Sequence, residues 1–67
     1  MIFLNGAESE LRAGDTVADV LVGMGLAPDA KGIAVAVDDG VVPRGEWRDF
    51  ALPEDSRVEV LTAMQGG

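Results

Sequence analysis

The chain has 67 residues, of which 48% are hydrophobic, and its 12 acidic and 5 basic side chains give a net charge of −7. This acidic balance argues against nucleic acid as a partner, because binding to phosphates requires clustered Lys and Arg. The sequence contains neither Cys nor His, which excludes disulfides, thiol and imidazole catalysis, and ordinary zinc sites.

The size of the chain limits its organisation. We expect one domain over residues 1–67, too small for a cleft between domains. With no His as a general base and no fold large enough for a pocket, we expect that the chain is not an enzyme. No segment approaches the roughly 18 apolar residues of a membrane span, and the apolar start lacks the features of a signal peptide, so we expect a cytoplasmic protein with no membrane association. Such a small core cannot hide all the apolar side chains, and some of them are expected to face a partner.

The start of the chain predicts a β-hairpin. Residues 1–5 are rich in β-branched and aromatic side chains and are apolar on both faces, as in a buried strand. The pair Asn5-Gly6 that follows is the strongest short signal for a hairpin turn. Residues 8–12 would form the returning strand, which is polar enough to lie at a sheet edge.

A helix is predicted after the hairpin. Thr16 can cap its first turn, with Asp19 reaching back to complete a capping box. Gly25 suits the position just after a helix, where the backbone takes a left-handed conformation, and Leu26 could then fold back on the last turn. Four apolar residues recur at helical spacing and predict the buried face: Val17, Val20, Leu21 and Met24.

The second half of the chain predicts extended structure. Residues 33–37 form a strand in which large side chains alternate with alanines, and residues 38–40 form a turn. A short extended piece begins at Val41, and Pro43 confines it to an edge or to a strand end. Residues 57–61 alternate as a half-buried last strand.

The predicted order of elements is ββαββ, with irregular structure before the last strand. One helix packed on a small mixed β-sheet is the economical way to bury both apolar faces, and the first and last strands, the most apolar, should be neighbours. This arrangement is the α+β β-grasp, or ubiquitin-like, fold. The expected core joins the four helical residues to four residues of the sheet: Val35, Val37, Val58 and Val60.

The end of the chain is uncharged from residue 60 onward and finishes with Gly66-Gly67. Because glycine has no Cβ, such a tail can thread a narrow channel, and we expect residues 63–67 to be flexible in the free protein. A terminal carboxylate is an anion at neutral pH and a poor electrophile, so only a partner could activate it. The alternative is a frayed terminus without a function.

Two regions are candidates for partner binding. Arg44 and Trp47 would share one face of a helical turn and could anchor an interface; alternatively, Trp47 caps the core and Arg44 pairs with an acid. The outward face of the sheet, with Phe3, Leu61 and an alanine of the third strand, is the expected apolar docking site. The acids are scattered over separate turns, which predicts a solvated acidic surface and no metal site.

Several short stretches occur in one order along the whole chain. They are an apolar first strand before Asn5-Gly6, Thr16-Val17-Ala18-Asp19-Val20-Leu21, Ala34-Val35-Ala36-Val37, Val42-Pro43-Arg44 with Trp47, Val58-Glu59-Val60, and Gln65-Gly66-Gly67. Together they resemble the sulfur carrier proteins of thiamin biosynthesis, the ThiS family. The sequence departs from the usual family pattern in two turns, at residues 38–40 and 55–56.

The resemblance implies a β-grasp protein that is a substrate of its partners. An adenylyltransferase related to ubiquitin-activating enzymes would use ATP to adenylate Gly67, with Gly66 and Gln65 threading the tail into the enzyme. Sulfur from a persulfide-bearing donor protein would convert Gly67 to a thiocarboxylate, which thiazole synthase would use for the thiazole ring of thiamin. No cofactor bound by the chain itself is implied.

Other functions stay open on the sequence. The chain could carry sulfur for another pathway, such as molybdopterin or a sulfur-containing amino acid. It could be a ubiquitin-like modifier that is joined through Gly67 to a target lysine, or a β-grasp interaction module with an inert tail. The stretch from Val42 to Trp47 favours the thiamin carrier over a carrier for another pathway.

Overall fold

The structure, a computed structural model, describes residues 1–62. In this range the elements are β1 (Ile2–Leu4), β2 (Ala7–Ser9), α1 (Val17–Gly23), β3 (Ile33–Val37), β4 (Gly40–Val41), a 3₁₀ helix (Arg44–Glu46) and β5 (Arg57–Thr62). The predicted hairpin, helix, third strand and last strand are all present, but the returning strand of the hairpin is Ala7–Ser9 and not the predicted residues 8–12. The flexible tail predicted for residues 63–67 lies outside the described residues.

The strands form one mixed sheet in the order β2-β1-β5-β3-β4. β1 runs parallel to β5, and the other neighbouring strands are antiparallel. The predicted pairing of the first and last strands is therefore confirmed. The short piece that begins before Pro43 pairs as the two-residue strand β4 at the edge of the sheet, which adds a strand to the predicted ββαββ order. With α1 packed on one face, this is the predicted α+β β-grasp.

The two hairpins turn through pairs of residues with positive φ. The angles are 51° and 86° at Asn5 and Gly6, and 50° and 71° at Asp38 and Asp39, as in the type I′ turns that match strand twist. Aspartate tolerates this region because its short side chain can bond locally. β3 and β4 pair on either side of this turn, so the hairpin is kept despite the departure from the family pattern. Asp38 Oδ1 also accepts a hydrogen bond from the N–H of Arg57 at 2.9 Å, which joins the turn to β5.

The N-terminus of α1 is capped by local and by distant groups. The predicted capping box is confirmed, because Thr16 Oγ1 accepts from the N–H of Asp19 at 3.2 Å and Asp19 Oδ2 accepts from the N–H of Thr16 at 2.8 Å. The N–H groups of the first two helical residues donate to the carbonyls of Phe50 and Trp47 at 3.1 and 3.0 Å. The segment before β5 thus satisfies donors that a helix leaves open.

The C-terminus of α1 explains why Met24, which was predicted to lie in the core, is not buried. Met24 is the C-cap, and Gly25 follows with a φ of 85°. The N–H of Leu26 then donates back to the carbonyl of Leu21 at 2.8 Å, which is the pattern of a Schellman cap. This turn packs Leu26 against the core and leaves Met24 40% exposed.

The core lies between α1 and one face of the sheet. All the other predicted core residues are buried. Several residues that the periodicity did not place there are buried with them: Ile2, Ala18, Val42, Trp47 and Leu52. Two of these, Trp47 and Leu52, belong to the irregular segment before β5, which closes one end of the core.

Candidate docking surface and the base of the tail

The face of the sheet that α1 leaves uncovered carries several apolar side chains. Successive side chains point to opposite faces of a strand, and the two valines of β3 and the two of β5 lie in the core. The residues that alternate with them therefore face outward: Ala34, Ala36, Arg57, Glu59 and Leu61. This arrangement places the predicted Leu61 and both alanines on one surface.

Leu61 and Val41 are the most prominent apolar side chains of this face. Leu61 lies opposite Ala34, and Val41 lies opposite Ala36. The short alanine side chains do not cover these cross-strand neighbours. Leu61 is 65% exposed and Val41 is 77% exposed. We call Ala34, Ala36, Val41 and Leu61 the outer apolar patch.

Sequence reasoning missed Val41 as a surface residue. Val41 and Val42 are adjacent, so at most one of them can face the core, but periodicity does not say which one. The turn at Asp38 and Asp39 decides it, because it sets the pairing of Ala36 with Val41. The N–H of Val42 donates to the carbonyl of Val35 at 2.8 Å, and the side chain of Val42 is buried.

Phe3 lies on the same face at the opposite end of β5. It is half-buried and lies opposite Arg57 of β5 and Glu8 of β2. Leu61 lies four positions after Arg57 along β5, which corresponds to a distance of about 13 Å. The predicted docking site is thus divided, with Phe3 at its charged end and Leu61 at its apolar end.

The base of the tail lies beside the outer apolar patch. β5 ends at Thr62, the last residue that the structure describes. A shallow hollow of about 310 Å³ opens here, lined by Ile33, Ala34, Leu61 and Thr62 together with Gly32. A partner that covers Leu61 would therefore also contact the start of the segment that leads to Gly67.

The side chain of Asn5 ties this end of β5 to the first hairpin. Asn5 Oδ1 accepts from the N–H of Val60 at 2.9 Å, and Asn5 Nδ2 donates to the carbonyl of Val60 at 3.4 Å. The amide side chain thus continues the β1–β5 pairing beyond the end of β1. Sequence reasoning identified Asn5 only as a turn residue, because this second role depends on the register between strands that are distant in sequence.

The proposed surface pair of Arg44 and Trp47 is not formed. Trp47 is 1% exposed, and its Nε1–H donates to the carbonyl of Val42 at 2.8 Å. Arg44 is exposed, and within residues 1–62 no ion pair is formed by its side chain. The prediction that both residues share one surface face is therefore wrong, and the structural alternative for Trp47 is correct. Arg44 alone stays a candidate for partner binding.

The predicted reactive residues Gln65, Gly66 and Gly67 lie outside the described residues, and their roles stay predictions. In the range 1–62 no three acidic side chains come together in a way that could hold a metal ion. The helices of the same range include none with the length and apolar character of a membrane span.

Comparison with known proteins identifies the family. The sequence matches the ThiS family over residues 2–67. This chain belongs to the ThiS family. The thiazole synthase of Magnetococcus marinus is 38% identical to it over 66 residues, which are 98% of this chain and 20% of that protein. The chain therefore spans about a fifth of the length of this relative.

A solved structure shares the fold of this ThiS-family chain. The crystal structure of the thiamine biosynthesis protein ThiS from Geobacter metallireducens matches it with a TM-score of 0.75. The match covers 98% of this chain and 97% of the other, at 22% sequence identity. The predicted β-grasp is thus confirmed by an experimental structure of the same architecture.

Proposed function

We propose that this protein is a cytoplasmic sulfur carrier of thiamin biosynthesis, in which Gly67 carries the sulfur atom as a C-terminal thiocarboxylate. The observation that carries the proposal is the match to the ThiS family, because its range of residues 2–67 includes Gly66 and Gly67. The chain would act as a substrate of its partners and would hold no cofactor of its own.

The proposed chemistry begins with activation of Gly67. Its carboxylate attacks the α-phosphorus of ATP in an adenylyltransferase related to ubiquitin-activating enzymes, which releases pyrophosphate and leaves an acyl-adenylate. The terminal sulfur of a persulfide on a donor protein then attacks the acyl carbon and expels AMP. A second thiol cleaves the resulting acyl disulfide, which frees the thiocarboxylate and leaves a disulfide. Since this chain has no Cys, both thiols belong to partners.

The proposed acceptor of the sulfur is thiazole synthase. This step is supported by the thiazole synthase of Magnetococcus marinus, which contains a segment 38% identical to almost the whole of this chain. A segment joined to a synthase in one polypeptide is held at a high effective concentration near it. We propose that the present chain meets a thiazole synthase through the same pairing of modules.

We propose that the outer apolar patch is where these partners dock. Leu61 and Val41 offer exposed apolar area that a partner can cover, and the base of the tail adjoins Leu61. The five residues after Thr62 can span at most about 17 Å, so a partner must bind close to β5 for Gly67 to reach its reaction centre. The net charge of −7 would steer the chain toward a basic partner surface.

The test is the intact mass of the chain after incubation with the activating enzyme, ATP and sulfide. We expect a gain equal to the difference between one sulfur and one oxygen atom. A chain that lacks Gly67 should gain nothing, because its end falls short of the reaction centre. Conversion of the deleted chain, or an unchanged mass for the full chain, would contradict the proposal.

Two further measurements separate the other functions. Addition of thiazole synthase with its co-substrates should restore the original mass, and a thiocarboxylate that persists would indicate a carrier for another pathway. A ladder of lysine-linked products on a denaturing gel would indicate a protein modifier. An inert module would give neither result.

A further inference from the structure

A second surface lies on the helical side of the sheet. A groove of about 470 Å³ runs between β2 and the C-terminal half of α1, and its apolar lining comprises Leu4, Leu11, Val20 and Met24. This volume is within the range of about 300–1,000 Å³ that is usual for binding pockets. None of the residues of the outer apolar patch lines this groove, so the two surfaces are separate.

One wall of the groove is a strand edge with which no other strand of residues 1–62 pairs. β2 is the outermost strand on its side of the sheet, and Leu4 pairs with Ala7 across a two-residue turn. Hydrogen-bonded and non-hydrogen-bonded pairs alternate in an antiparallel ladder, so the next pair, Phe3 with Glu8, is non-hydrogen-bonded. The N–H of Phe3 accordingly donates to the carbonyl of Ser56, on the β5 side, at 3.0 Å. The backbone N–H and C=O of Glu8 therefore point away from the sheet.

The groove is also acidic. Among the described lining residues three are acidic, Glu8, Glu10 and Asp15, and none is a Lys or an Arg. The side chain of Glu8 lies on the outer face of the sheet with that of its cross-strand neighbour Phe3, so the acidic side chains on the helical side are those of Glu10 and Asp15. Within residues 1–62 none of these three carboxylates forms an ion pair. A cationic occupant would therefore be attracted without having to displace a cation that these carboxylates already bind in the described part of the chain.

We propose that this groove binds an extended, basic segment of a partner protein as an additional strand along β2. The open backbone groups of Glu8 provide hydrogen bonds for an added strand. Apolar side chains of the segment would pack between Leu4 and Met24, and the alternating Lys or Arg side chains would lie on the opposite face of the added strand, beside Glu8. The acidic Glu10 and Asp15 would add to the attraction. Binding here leaves the outer apolar patch and the base of the tail accessible, so one partner can be held in the groove while another receives the tail.

The test uses a capped synthetic peptide of alternating valine and lysine, followed by nuclear magnetic resonance of the whole chain. We expect shift changes confined to the groove, slower amide exchange at Glu8, and an affinity that falls as salt rises. A peptide of alternating valine and glutamate should not bind. The experiment involves neither ATP nor sulfide, so its result is independent of the proposed sulfur chemistry.

Two variants test the two recognition elements separately. Glu8→Pro removes an N–H that faces away from the sheet, which an edge strand tolerates, and should raise Kd by about fivefold for one lost hydrogen bond. Glu8→Gln keeps that N–H and should bind more tightly than Glu8→Pro. Gly23→Leu fills the groove from the helix, where an added Cβ meets nothing within 4 Å, and should raise Kd at least about tenfold. Val22→Leu is its matched control, because Val22 is 56% exposed and lies outside the groove lining.

Several results would overturn the proposal. These are no binding, shift changes on the outer apolar patch, equal binding of the glutamate peptide, or an affinity that Gly23→Leu leaves unchanged. Groove shifts that grow with the concentration of the chain alone would mean that a second copy is the occupant. If Glu8→Pro fails to fold, the comparison of Gly23→Leu with Val22→Leu still decides the outcome.

Discussion

Shortening Leu61 should weaken docking of the activating enzyme while leaving the fold intact. In the free chain this side chain is 65% exposed, and its cross-strand neighbour is the short Ala34. Complete burial of a leucine side chain contributes about 1.5–3 kcal/mol, so cover of the exposed 65% contributes about 1–2 kcal/mol. Leu61→Ala is therefore expected to raise Kd by about 5- to 30-fold. Leu61→Glu should raise it further, because docking would bury a carboxylate.

The assay is calorimetric titration of each variant with the activating adenylyltransferase at one salt concentration, together with unfolding in urea. The matched control is Val22→Ala, which shortens a side chain that is 56% exposed on the helical side of the sheet. We expect this control to bind like the original chain. The free energies of unfolding of Leu61→Ala and Val22→Ala should each lie within about 0.5 kcal/mol of that of the original chain. An unchanged Kd for Leu61→Ala, or an equal loss for Val22→Ala, would refute the assignment of the outer apolar patch.

Three further predictions concern the core, the base of the tail and the tail itself. Leu21 is 0% exposed, so Leu21→Ala should lower the free energy of unfolding by about 2–5 kcal/mol. Met24→Ala should lower it far less. Equal decreases for the two variants, measured by unfolding in urea, would contradict the core assignment. Asn5→Gly tolerates the positive φ but removes both side-chain bonds to Val60, so the Val60 amide should exchange faster, and unchanged exchange would show that these bonds are not formed in solution. Gly66→Val should block conversion to the thiocarboxylate by its bulk in a narrow channel while unfolding in urea stays unchanged; conversion at the original rate would rule out a threading role.

Some features could be predicted because they depend on neighbours in the sequence. The turn at Asn5 and Gly6 and the capping box of Thr16 with Asp19 each involve residues within one turn of the chain, and both are confirmed. The placement of Leu61 on the outer face followed from strand alternation. The role proposed for Gly67 was reached by a different route, the resemblance of the whole chain to a family.

The sequence by itself thus determined the element order except for the short strand β4, together with most of the core and the family, because local periodicity, turn chemistry and ordered motifs carry that information. Only the tertiary structure decided contacts between distant residues. Trp47 became a core residue once the segment before β5 folded over the start of α1, and Val41 became a surface residue through the register of β4 with β3. The groove beside β2 has the same origin, since it is formed by a strand edge and a helix that only packing brings together.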